Sequence, residues 1–338
     1  MKGSEYTRKN LYFCCLEEIL LCDKTTFVMI YLGVDGGGSK TSCWIGDETS
    51  VWGRGRAEGS NLLRVGEAKA RQALMRAIEL ACADAKISPD KIDCACVGLA
   101  GAARTEVSNA VRRAMAGILS APVEVVGDMV IAMEAAFEEG PGVVVISGTG
   151  SIAYGRDSHG QTVRVGGWGP AISDEGSAYW IGKAAVKAAL RDFDEGQPTV
   201  LLEAVMKSWQ VETQAQTVMT ANASSPPADF AGLCPGVCLA ADMGDSSARR
   251  VLVQAGEELA MLANIAMRRL FKGNGEVKIA MAGSVFAHSH IVRESFGGVL
   301  NKEHADARVH SAVVEPVSGA LALARKIAAR KTGKGMAG

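Results

Sequence analysis

Three successive glycines followed by Ser39, Lys40 and Thr41 stand in the segment LGVDGGGSKT, residues 32–41. Gly36, Gly37 and Gly38 leave the main chain bare, so N–H groups there can approach phosphate oxygens. Ser39 and Thr41 add hydroxyls and Lys40 a positive charge, while Asp35 is placed to hold the water shell of a magnesium ion. A plain hairpin turn is the simpler reading, but a two-residue hairpin needs neither three glycines nor Ser-Lys-Thr. A Walker A loop is excluded, because that pattern needs Gly directly before Lys and Ser39 intervenes.

A second glycine turn, SGTGS, occupies residues 147–151 and contains Gly148, Thr149 and Gly150. By letters, Gly148 to Ala153 fits a dinucleotide-binding fingerprint, yet SIAYGRDSHGQTVRV follows it and reads as a hairpin instead of a helix. The better reading is a second phosphate turn, equivalent by internal repetition to the first. Two such turns facing one another would grip a triphosphate from both sides.

Other residues carry chemistry at element ends. Asp128 closes the apolar run VEVVGD and opens a helix, where it either caps the helix or accepts a proton from an attacking hydroxyl. In GGWGPAISDEGSAYW, residues 166–180, Gly167, Trp168 and Gly169 offer a wall for a sugar ring. Asp174 in the same segment would bind a hydroxyl pair or cap the next helix, with Ser177 as the rival cap. In MAGSV, residues 281–285, Gly283 and Ser284 either let an adenine or ribose lie against the backbone or form a simple β-to-α turn.

These residues need a frame, and the sequence supplies it twice. From Met29 the pattern reads β-β-β-α-β-α-β-α, and from Gly142 the same order returns. The expected organisation is a first domain over 29–138, a second over 139–315 with a helical insert at about 195–273, and a cleft between them for ligand. Residues 1–28 are unlike the rest and are expected to be a disordered arm or a mis-assigned start, with Met29 as the alternative first residue.

Composition narrows the partners. With 338 residues there is room for two cored domains, and a net charge of −1 offers no basic field for nucleic acid or an anionic membrane. No apolar run reaches the ~20 residues that span a bilayer. Nine cysteines form no CxxC pair and no zinc-spaced cluster, which points to reduced, structural thiols and a cytoplasmic protein with a small-molecule substrate.

GVDGGGSKT, SGTGS, GGWG with DEGSAYWIG, FAGLC and AGSV, in this order, resemble eukaryotic-type N-acetylglucosamine kinases and the wider BadF/BadG/BcrA/BcrD ATPase family, within the actin, sugar kinase and Hsp70 superfamily. The resemblance covers about residues 30–330 and implies an α/β fold of duplicated ribonuclease H-like (actin-like ATPase) domains, with the last helix, 316–330, returning to the first domain. It implies ATP held by Gly36 to Thr41, Thr149, Ala231 and Gly283, and Asp128 as the base that activates a sugar 6-hydroxyl. Asn61, Ser151, Gly167, Gly169 and Asp174 would bind the sugar. Magnesium and a homodimer are further implications. Leu62 and Leu63 stand where the animal kinase has His and Trp, and LAGAARTE also differs, so glucosamine is an alternative substrate to N-acetylglucosamine. Rival readings are a sensor that binds sugar and nucleotide without turnover, and an ATPase that activates dehydratases through a shared iron–sulfur cluster. The latter needs a cysteine beside the glycine turn, and SGTGS has none.

Overall fold

The computed structural model describes residues 28–331 except 103, 198, 226, 272–274 and 305, so the expectation for the N-terminal arm falls outside the described residues. The first half contains β1 (Tyr31–Gly36), β2 (Lys40–Gly46), β3 (Val51–Glu58), β4 (Cys94–Leu99) and β5 (Val123–Gly127). Its helices are α1 (Leu62–Val65), α2 (Glu67–Ala85), α3 (Thr105–Ala116) and α4 (Asp128–Phe137). The sheet runs β3-β2-β1-β4-β5, with β1, β2 and β3 antiparallel and β4 and β5 parallel to β1. β4 is buried along its whole length and reads as a continuous small and apolar run, as a strand covered on both faces must.

The second half repeats the plan with β6 (Gly142–Ser147), β7 (Ser151–Arg156), β8 (Thr162–Gly166), β9 (Val277–Ala282) and β10 (Ala307–Val314). These run β10-β9-β6-β7-β8, the same order read from the other edge. The helices are α5 (Ala178–Asp194), α6 (Val200–Trp209), α7 (Gln214–Ala221), α8 (Cys234–Asp242), α9 (Ser246–Leu270), α10 (Ser284–His288), α11 (His290–Glu303) and α12 (Pro316–Lys331).

One assignment from the sequence changes here. The sequence reading makes the helix after DEGS, α5, the counterpart of α2. In the structure it is α9 that lies on β6, β7 and β8, as α2 lies on β2 and β3, while α5 rides on α9. Both helices carry an apolar stripe, and periodicity fixes the face a helix buries without naming the partner it buries it against.

Each sheet has its own core. Leu32, Val34, Ile45, Leu74, Ile78, Leu99 and Met115 form one, and Val143, Val145, Leu259, Ala263, Phe286 and Phe296 anchor the other. The opposite face of the first sheet is covered from the far end of the chain. Ala320, Leu321, Ala324 and Ala328 of α12 pack with Tyr31, Cys96 and Ile131, and Arg325 Nε donates to Asp47 O at 2.7 Å. The buried Glu134 carboxylate of α4 meets Lys326 Nζ at 2.7 Å. The described cysteines form no disulfide, and no described helix is long and apolar enough to cross a membrane.

Candidate active site

The parallel strands bring their carboxyl ends to one edge. Asp35 lies level with Gly98, Gly36 with Leu99, and Leu99's other neighbour, Gly127, leads directly into Asp128.

 
Two carboxyl groups, Asp35 and Asp128, therefore stand near one another with glycine between them. Burial first, and then the facing Asp128 charge, push the Asp35 carboxyl up to about 7, while Lys40 pulls it back. Burial likewise raises Asp128, against the pull of backbone N–H groups. Asp128 is the first residue of α4 and not its cap: Gly127 holds the cap position, and Asp128 Oδ1 accepts the Met129 N–H at 2.9 Å. That bond fixes the carboxylate at the positive end of the helix.

The two glycine turns meet. Ser39 Oγ and Thr149 Oγ1 are 2.9 Å apart, joining the β1–β2 turn to the β6–β7 turn across 110 residues of sequence. Within the first turn the Gly37 N–H donates to Lys40 O at 2.9 Å, and within the second Gly148 N–H donates to Gly150 O at 2.9 Å. Among the described residues, the N–H groups of Gly38, Ser39, Thr149 and Gly150 have no backbone partner. Of the glycines that the sequence singles out for phosphate, Gly38 and Gly150 thus keep such an N–H, whereas those of Gly37 and Gly148 are tied within their turns. The first turn of α5 anchors the second loop, with Ala178 N–H donating to Gly148 O at 2.8 Å and Tyr179 N–H to Thr149 O at 3.3 Å.

Asp174 lies against that second turn. A Cβ on Gly150 would sit 2.8 Å from Asp174 Oδ2, so only glycine leaves the carboxylate its place. Asp174 is buried and has φ of 69°, a left-handed backbone rarely adopted by a non-glycine residue. Burial raises its carboxyl, and the N–H groups of Ser151 and Gly169 oppose the rise. The rival cap is settled: Ser177 caps α5 by accepting the Trp180 N–H at 3.2 Å. Gly167 and Gly169 both have positive φ, and Trp168 between them is 68% exposed, its ring covered on one side by the Arg164 guanidinium at 4.1 Å.

Several expected residues are engaged otherwise. Thr41 is fully buried, its hydroxyl donating to Glu58 O at 2.6 Å and lying 2.9 Å from Ser60 Oγ, so it braces the first turn from behind. Ser151 Oγ donates to Glu175 O at 2.7 Å. Asn61 Oδ1 caps α1 by accepting the Leu63 N–H at 3.0 Å. Gly283 has φ of 97°, and a Cβ there would sit 2.2 Å from Ser147 O, so glycine serves the approach of β9 to the second turn. Ser284 follows as the first residue of α10, and Ala231 opens a single 3-10 turn packed on the second core.

The sequence reading missed an ion pair across the cleft. Arg64 Nη2 of α1 lies 3.0 Å from Asp229 Oδ1, two residues before Ala231. No motif links the two residues, which stand 165 positions apart. Only the FAGLC motif, which begins at Phe230, drew attention to the neighbourhood.

Residues 32–324 match the BadF/BadG/BcrA/BcrD ATPase family. The chain belongs to that family. The chain is 30% identical over 298 residues to an N-acetylmuramic acid/N-acetylglucosamine kinase of Clostridium acetobutylicum, covering 87% of this chain and 97% of that one. It is 26% identical over 310 residues to an N-acetyl-D-glucosamine kinase of Dictyostelium discoideum, again covering 87% and 97%. The fold agrees with a ROK family glucokinase from Streptomyces griseus solved with glucose and AMPPNP, at a TM-score of 0.55 and 15% identity over 88% of this chain and 99% of that one. The α/β architecture of duplicated ribonuclease H-like domains is thus a property of this family member.

Proposed function

We propose that the protein transfers the γ-phosphoryl group of ATP to the 6-hydroxyl of an amino sugar, with N-acetylglucosamine as the foremost acceptor. The observation that carries this reading is the junction of the two glycine turns, Ser39 to Thr149 at 2.9 Å, beside a strand edge bearing Asp35 and Asp128. Similarity to kinases of N-acetylated amino sugars supports the substrate class.

The unpartnered N–H groups of both turns, with Lys40, would hold the phosphate chain and offset charge gathering on it. Gly167 to Gly169 and Asp174 would hold the sugar, with Ser151 setting the Asp174 loop through its bond to Glu175 O and Asn61 standing at the α1 cap. Ala231, Gly283 and Ser284 would border the nucleoside. Asp128, oriented by the Met129 N–H, takes the proton of the sugar hydroxyl as its oxygen bonds to the γ-phosphorus and the bond to the β-phosphate oxygen breaks, leaving ADP.

The site also fits magnesium. Asp35 is a half-buried carboxyl pushed up to about 7 beside a second carboxyl, the electrostatics of a place that a cation would relieve. Among the described residues no three His, Cys, Asp or Glu side chains cluster as a cage. One carboxylate acting through water suits a cation that keeps most of its water shell and is otherwise held by phosphates. Magnesium would supply charge neutralisation for the phosphates, with Asp35 as its protein anchor.

ADP release with magnesium-ATP and N-acetylglucosamine tests the reading. Release that requires the sugar, and falls by about a hundredfold or more in Asp128→Asn with nucleotide affinity retained, is the expected result. Near-normal turnover in that variant would remove Asp128 from the role.

A further inference from the structure

We infer that Arg64 and Asp229 are a positioning pair that clasps the two halves and couples occupancy of the sugar side of the cleft to that of the nucleotide side. The inference rests on the cleft being the ligand site proposed above.

Each partner is linked by a short chain of contacts to one of the two glycine turns. On the first side, Ser60 N–H and Asn61 N–H both donate to Gly37 O, at 3.1 and 3.2 Å. Asn61 then caps α1, and the Arg64 N–H donates to Asn61 O at 3.0 Å. Turn, Asn61 and Arg64 therefore move as one unit. On the other side, Asp229 Oδ1 accepts the Gly232 N–H at 3.2 Å, and Asp229 O accepts from Trp209 Nε1 at 3.3 Å. The next residue, Phe230, stacks edge-on with Trp209 and with Tyr179, at 5.4 and 5.3 Å between ring centroids. Tyr179 is the residue whose N–H donates to Thr149 O, so this chain of contacts ends on the second turn.

Ser39 with Thr149 and Arg64 with Asp229 are thus two polar ties between the same two units. The first sits where phosphate would lie. The second lies between the α1 segment that starts at Asn61 and the segment that leads to Ala231. Neither Arg64 nor Asp229 is needed for folding by burial, since their side chains are 38% and 60% exposed. An ion pair this exposed has a modest effect and is screened by salt, which suits a clasp that must open for substrate and product.

The test measures AMPPNP affinity with and without N-acetylglucosamine in the full chain, at about 0.05 and 0.5 M salt, together with the radius of gyration of the ligand-free protein. Wild type should show tighter AMPPNP binding with sugar present, and that ratio should fall about two- to fivefold in Arg64→Gln and in Asp229→Asn. High salt should have a similar effect on wild type and little on either variant. The exchanged pair Arg64→Asp with Asp229→Arg should recover most of the ratio. A ratio and radius unchanged in both single variants would overturn the clasp. If wild type shows no effect of the sugar on AMPPNP, the coupling is overturned even where ADP release requires the sugar; if ADP release does not require the sugar, it is the substrate reading that fails.

Discussion

Replacing Asp35 by Asn should make the protein more stable and far less active. The folded chain holds the Asp35 proton up to about pH 7, whereas the unfolded chain releases it near 3.8. Between those values the folded form binds more protons, so its stability falls as pH rises and levels off above about 7. A carboxyl raised from 3.8 to about 7 corresponds to at most roughly 4 kcal/mol, and partial solvation brings the expected gain for Asn to ~2 kcal/mol at pH 8. The cause is burial first and the neighbouring Asp128 second, and Asn removes both. Urea unfolding of both proteins at pH 5, 6, 7 and 8 reads this directly: the gap should be smallest at pH 5, widen to about pH 7 and change little from there to pH 8. The magnesium-ATP affinity of wild type should rise over the same window, because the bound complex favours the charged carboxylate, and Asn should flatten that rise. A gap that does not change with pH, or a variant less stable than wild type at pH 8, would refute the electrostatic account.

Three further outcomes follow from contacts around the turns. Gly150→Ala places a Cβ 2.8 Å from Asp174 Oδ2, so the KM for sugar should rise by about tenfold, and by more than the Kd for AMPPNP. Gly283→Ala must place a side chain at φ of 97° against Ser147 O, and should cost ~3 kcal/mol or more in urea unfolding. Lys326→Met leaves the Glu134 carboxylate, 5% exposed, without its cation, and should cost about 2–4 kcal/mol, read as a lower unfolding midpoint; an unchanged midpoint would remove this ion pair from the stability of the first half.

The duplicated fold was legible because its signals are local. Glycine turns end apolar strands at Gly36 and Ser147, and each repeat carries the same succession of short strands and helices. Asp128 and Asp174 could be singled out as carboxyls at element ends, yet whether each caps its helix is decided only by the fold. A sequence cannot say that Gly127 holds the cap before Asp128 or that Ser177, not Asp174, caps α5. Thr41 shows the converse: its place in the motif suggests a phosphate donor, while strand alternation turns its hydroxyl inward to Glu58 O. The role of α9 and the Arg64–Asp229 pair were hidden because both depend on which surfaces meet across long sequence separations.

The central claim is tested most directly by ADP release with magnesium-ATP across N-acetylglucosamine, glucosamine, N-acetylmannosamine, N-acetylmuramic acid, glucose and water alone. The account predicts release that depends on an amino sugar and is lost in Asp128→Asn, with the phosphate found on the sugar's 6-oxygen. Equal release with water alone, or no release with any sugar, would contradict it.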